Sequence, residues 1–259
     1  MASNAHVELW AAERVAGVAS IETSGNGVRS ATWGETRLSQ KDYVKLVGAV
    51  PAVLSEALKS RAYYFVPLVI AEQIAGQAGE QPGEKAETQI APGYSVELSD
   101  RAICHRNVRV GGTDAVFIST RLVEDKFGLA FEFFINVAHN FVEVAGVPQS
   151  FSELIWKQAL TDVRGETSQD AWEARKTALE AASGQGDERA RNSYNEAAFS
   201  DALAIYMLSL YVDFDYHDLR ERDYPLLAPT ALAERLRHVS ILFPANAGYE
   251  FQVLYRRRG

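Results

Sequence analysis

His139 and Glu143 stand four residues apart in the segment Thr120 to Gly146, TRLVEDKFGLAFEFFINVAHNFVEVAG. On a helix that spacing stacks an imidazole and a carboxylate on one face, as when a helix offers two ligands to one metal ion. Turning about 100° per residue places Glu132, Asn136, His139 and Glu143 along one line. The rest of the wheel is apolar, with Phe131, Phe134, Ala138 and Phe141 on one side and Phe133, Val137 and Val144 on another. A helix apolar nearly all round is expected to be buried. A polar line on it must then be satisfied internally or face a cleft.

In outline, His139-Asn140-Phe141-Val142-Glu143 resembles the HExxH signature of zinc peptidases, with Glu196 on a later helix as a third ligand. The resemblance covers five residues and departs from the pattern twice. Asn140 stands where the general-base glutamate belongs, and Glu143 stands where the second histidine belongs. Zinc-dependent peptide hydrolysis needs a carboxylate to take the proton from metal-bound water, which an amide cannot do. The similarity therefore implies a degenerate zincin-like site, not a working peptidase.

A second arrangement joins Glu132 and His139 to Asp213 and His217, four residues apart at the end of a later apolar segment. Carboxylates and imidazoles projecting from facing helices are how bundle proteins hold iron or manganese. The ExxH pairs of ferritin-like proteins are missing. His217-Asp218 also resembles the HD step of HD-type phosphohydrolases, without a later aspartate placed to finish that metal set. His105, on a segment that leads toward the central helix, is a candidate third nitrogen ligand or an acid/base group. The cofactor these readings imply is a divalent zinc, iron or manganese ion. The alternative is a noncatalytic binding or assembly protein in which the same stripe is structural. Whether the chain is an enzyme stays open at this point.

Composition narrows the classes. A formal charge of −8 over 259 residues argues against a general nucleic-acid surface, because phosphate binding wants a positive field. The tail Arg256-Arg257-Arg258 is a local exception. No apolar run approaches the roughly 18 residues of a membrane span. Cys104 is the single cysteine, which excludes an internal disulfide and a cysteine metal cluster and fits a reducing cytoplasm. Glu8 and Glu13 are out of place in a signal or transit peptide. No GxGxxG, P-loop, GxSxG or paired CxxC occurs, and nothing decides for or against a homo-oligomer.

The elements that must position these residues read as an α+β fold, predominantly helical, with a small antiparallel sheet. Its hairpin joins 102–110 to 115–120 across Gly111-Gly112-Thr113-Asp114. The buried central helix is expected over 121–145. Gly25-Asn26-Gly27 predicts an earlier hairpin between 18–21 and 28–33. Ser39 caps a helix that Pro51 splits. Arg61 to Gly76 is ambiguous between strand and helix, and 94–99 reads as β structure. Ser150-Phe151-Ser152-Glu153 reads as a capping box, Ser168 or Thr167 as a cap, and 249–255 as a strand. The chain is expected to be one domain over 1–259, subdivided if anywhere at the Gly/Pro/Glu-rich loop 76–93 or the breaker 183–187.

Overall fold

The computed structural model describes residues 8–71, 88–182, 188–220 and 224–253. The strands are β1 (Trp10–Ala11), β2 (Glu22–Thr23), β3 (Arg29–Thr32), β4 (Arg61–Val66), β5 (Leu68–Ala71), β6 (Thr88–Ala91), β7 (Ala102–Ile103), β8 (His105–Val110) and β9 (Thr113–Ser119). The helices are α1 (Ala12–Val18), α2 (Gln40–Gly48), α3 (Ser55–Leu58), α4 (Val96–Ser99), α5 (Lys126–Ala145), α6 (Gln149–Leu160), α7 (Gln169–Ala182), α8 (Glu188–Tyr211) and α9 (Pro229–Leu242). The fold is α+β with a large helical share, as expected. The chain forms two compact units, one of residues 1–48 and 59–133 and the other of 49–58 and 134–259. The loop expected over 76–93 is shorter at its end, because Thr88–Ala91 is taken up as strand β6 between β1 and β5; residues 76–87, the breaker 183–187 and the arginine tail lie outside the described residues.

The first unit holds two sheets. One is antiparallel throughout, in the order β1-β6-β5-β7, and the other runs β2-β3-β4-β9-β8. In the second sheet β4 lies parallel to both β3 and β9, and the edges are antiparallel. The described part of the ambiguous segment 61–76, residues 61–71, is two strands. Every residue of β4 is buried, and after Arg61 the strand is the continuous apolar run of a central strand covered on both faces. Pro67 then turns the chain from one sheet into the other.

Cys104 makes the same crossing for the expected hairpin. Ala102–Ile103 pairs with β5, whereas His105–Val110 pairs with β9 in the register His105↔Ile118 to Val110↔Thr113. The hairpin therefore exists as read, but its first strand is broken between two sheets. Gly111, with φ 58°, supplies the left-handed turn that a two-residue connection requires.

One face of the five-stranded sheet packs Ala31, Tyr64 and Phe117 against Val15 of α1 and Val69 and Ile90 of the other sheet. Val108 and Val110 of β8 join that cluster. The opposite face presents Tyr63 and Phe65 to Phe133 of α5, at ring distances of 5.3 and 5.2 Å. Ser39 caps α2 as expected, accepting from the Asp42 N–H at 3.1 Å, and Pro51 separates α2 from α3. The first hairpin turns at Gly25 to Gly27, with its outer strand at 22–23, because 12–18 is taken up by α1. Residues 96–99 form a helical turn, not a strand.

The expected helix from residue 121 starts later. Thr120–Leu122 is a 3-10 turn, and Asp125 accepts a hydrogen bond from the Gly128 N–H at 2.9 Å, which fixes the start of α5 at Lys126. Burial is also less complete than the wheel suggests. Phe133, Phe134, Val137, Ala138 and Phe141 are buried, while His139 and the last turn from Glu143 to Ala145 are exposed.

In the second unit Phe141 of α5, Phe151 of α6, Phe199 of α8 and Phe243 beyond α9 form one ring cluster, with centroids 5.0 to 6.2 Å apart. Large apolar side chains of this kind supply much of the burial energy of a core. The middle of α8, from Ala198 to Leu208, is buried all round. Pro148 precedes the first turn of α6, so Ser150 lies inside the helix and hydrogen-bonds His238 at 3.0 Å. The expected capping box there is not formed. Ser168 does cap α7, accepting from the Ala171 N–H at 3.0 Å. Residues 249–253 are not a strand.

Candidate functional site

The edge strand of the first unit's mixed sheet carries His105, a residue singled out from the sequence. Strand β8, with the sequence HRNVRV, has His105, Arg106, Asn107 and Arg109 exposed and bonds to β9 on one side only. Glu132, the first member of the polar line on α5, reaches the His105 Nδ1 and holds the ring. Arg109 lies 3.9 Å from Asp114, which also pairs with the buried Arg61 at 3.4 Å. Beside this edge Cys104 is half-buried. Burial, and then the nearby Glu132 carboxylate, push its thiol above the ordinary value, the opposite of what an activated nucleophile needs.

The other candidates do not gather around this pair. Asn136 is buried, and His139 and Glu143 are exposed one helical turn apart on α5. Glu196 is exposed on α8. Helix α8 ends at Tyr211, and Asp215 and Asp218 form a capping box that opens a separate 3-10 turn, Tyr216–Leu219. Asp213 and His217 are therefore not stacked on one helix, since the chain leaves the helical path between them. Both are exposed. Among the described residues, no group of three or more His, Cys, Asp or Glu side chains is arranged to hold a metal ion.

The strongest polar constellation of the second unit went unread in the sequence. Arg235 of α9 and Glu166 are both fully buried, and the guanidinium donates to both carboxylate oxygens, at 2.7 Å from Nη1 and 3.1 Å from Nη2. The Arg235 Nε donates to Gln158 at 2.8 Å, and Tyr194 donates its hydroxyl proton to Glu166 at 2.7 Å. Burial works against the charge on Arg235, but Glu166 outweighs it and holds the group above its usual range. Burial pushes the Tyr194 hydroxyl up as well, so it remains a neutral donor. Arg175 adds a second cation 3.6 Å from Glu166 and donates to the Val163 and Gly165 carbonyls.

Local backbone fixes Glu166. Gly165 has φ 78°, and the next residue donates its N–H to the Pro225 carbonyl while its own carbonyl accepts from Leu227, both at 2.9 Å. One signal for this network was present in the sequence. Arg235 falls on the apolar stripe of its helix with Leu232, Leu236 and Val239, and Arg175 falls between Ala171 and Ala178 on theirs. A bidentate, fully hydrogen-bonded pair of this kind specifies packing more than it performs chemistry.

Asp201 of α8 is buried nearby and accepts from the Thr167 hydroxyl at 2.7 Å. Burial pushes its carboxyl up to about 6, partly offset by the hydrogen bonds from Ser168 and Thr167. A carboxyl whose folded value exceeds its unfolded value of 3.8 contributes most below that value and loses its contribution as pH rises through about 6. Asp201→Asn, with no charge to desolvate, is expected to exceed the parent in stability by about 3 kcal/mol at pH 8 and to lose most of that advantage near pH 4. Urea midpoints at the two pH values check this. A difference that does not change with pH would remove Asp201 as its source.

Compared with models of known protein families and with curated proteins, the chain matches none of them. No helix among the described residues is long and apolar enough to cross a membrane.

Proposed function

We propose that the chain is a noncatalytic binding protein whose recognition surface is the β8 edge of the mixed sheet, and that the polar line on α5 serves structure. The observation that carries this reading is the six-residue edge strand with four exposed polar side chains, one of them held in place by Glu132. An exposed strand edge is a template for pairing with another chain. The polar line gives less support to chemistry. Its buried member, Asn136, lies within the packed part of α5, while His139 and Glu143 sit at the solvent face of the helix.

Two measurements on untagged protein test the proposal together. Elemental analysis is expected to find no stoichiometric zinc, iron or manganese, with no thermal shift on adding any of the three. A random peptide display library is expected to enrich binders that are lost when Arg106 and Arg109 are both changed to glutamate. Stoichiometric metal that disappears in His139→Ala would overturn the proposal in favour of a metal-dependent site on α5. A library that enriches nothing, or binders indifferent to Arg106 and Arg109, would overturn it as well.

A further inference from the structure

The backbone of β8 alternates in what it offers. Cys104, just before the strand, accepts a hydrogen bond from the Ser119 N–H at 2.8 Å, and this pair continues the β8–β9 register. In an antiparallel ladder, residues that exchange hydrogen bonds alternate with residues that do not. Arg106, Val108 and Val110 therefore share the parity of Cys104 and turn their N–H and C=O groups toward β9. His105, Asn107 and Arg109 turn theirs the other way, out of the sheet. The far side of β9 agrees: Asp114, opposite Arg109, donates its N–H at 3.1 Å to Ser60, next to β4, and not to β8. Among the described residues, β8 pairs with β9 alone.

The side chains select what can add to that edge. His105, Arg106 and Arg109 are exposed, and no acidic residue lies within β8 itself. A second copy adding edge to edge would bring Arg106 and Arg109 close to the same two cations of its neighbour, and like charges close across a strand pair are destabilising. The same positive charge attracts an acidic strand. The edge is thus closed to self-association, the usual hazard of an open strand, and open to a partner of opposite sign. Val108 and Val110 pack inward on the α1 side, which keeps the strand in place without the partner.

We infer that β8 binds an extended acidic peptide segment by strand addition, with the outward N–H and C=O groups of His105, Asn107 and Arg109 forming the new ladder and Arg106 and Arg109 meeting its carboxylates. The inference rests on the binding reading above and adds the mode and the class of partner. Main-chain hydrogen bonds supply affinity in such complexes, and alternate side chains supply specificity.

The probe is an N-acetylated, C-amidated octapeptide of sequence Glu-Glu-Val-Val-Glu-Glu-Val-Val, which puts carboxylates on both faces of an added strand, as Arg106 and Arg109 require, compared with its lysine-for-glutamate counterpart. Titration with the full chain is expected to show binding of the glutamate peptide at least tenfold tighter than the lysine peptide. Hydrogen exchange is expected to slow at least tenfold at the amides of His105, Asn107 and Arg109, with Arg106 and Val108 little changed. Asn107→Pro removes one outward N–H, which an edge strand tolerates, and is expected to lose tenfold or more in affinity. Asn107→Ala, which keeps that N–H, is expected to bind as the parent does. Should Asn107→Pro fail to fold, the exchange pattern of the unaltered protein still decides.

Binding that is abolished by the Arg106→Glu and Arg109→Glu changes but leaves the three outward amides unprotected would overturn strand addition and leave the binding reading standing. Equal binding of the lysine peptide would overturn the acidic partner. No binding of either peptide at millimolar concentration would overturn the inference, while display binders that depend on Arg106 and Arg109 would still uphold the broader reading.

Discussion

Glu166→Gln is expected to lose about 3–5 kcal/mol of stability, because removing one partner of a buried ion pair leaves an uncompensated charge. The glutamine fills the same space, so the loss is not a cavity effect. It leaves Arg235, with no exposed surface, and the almost equally buried Arg175 without their shared carboxylate. It also weakens the acceptor for the Tyr194 hydroxyl. Urea denaturation measures the loss through the midpoint at unchanged slope. Adding Arg235→Met to Glu166→Gln is expected to cost clearly less than the sum of the two single changes, since each removes the reason the other is harmful. A single-variant loss under 1 kcal/mol, or strict additivity, would show that the network contributes little.

Gly165→Ala is the second large effect, expected at about 3 kcal/mol or more, from left-handed strain and a backbone clash together. A Cβ at this position would lie 2.2 Å from the Pro225 carbonyl oxygen and 2.3 Å from that of Leu226, and φ is 78°. Those atoms belong to the segment whose Pro225 carbonyl and Leu227 N–H bond the backbone of Glu166. The substitution must push them away, and the carboxylate then leaves its place against Arg235. The loss is expected to overlap with that of Glu166→Gln, so the double variant should fall short of the sum. Calorimetric midpoints of the four proteins test the overlap. An unchanged midpoint in Gly165→Ala would mean that the two segments part at little cost.

Local chemistry made much of the framework legible. Ser39 capped its helix, Pro51 divided one helix from the next, and hairpins turn at the expected glycines, although the first has its outer strand at 22–23 in place of 18–21 and the second turns within 111–112 in place of 111–114. Each of these acts through a side chain or φ preference within a few residues, so neighbours in sequence suffice to decide it. The same local rules failed where a competing group intervened. Asp125 set the start of α5 ahead of the apolar periodicity, and Ser150 bonded His238 across 88 positions of chain instead of its own helix end.

The candidate site was less legible still. The sequence by itself determined that Glu132 shares a helix face with Asn136, His139 and Glu143, because helical geometry makes that a matter of counting. It determined that a hairpin turns at Gly111-Gly112, whereas the register that aims the backbone of His105, Asn107 and Arg109 outward came from the structure. Only the tertiary structure decided that Glu132 meets His105, 27 residues earlier, and that His139 and Glu143 face outward. It alone placed β8 at an edge and brought Glu166 to Arg235 across 69 positions. The physical reason is that the partner of a side chain, and the neighbour of a strand, are set by how whole elements pack; periodicity fixes which way a residue points, not what it finds there.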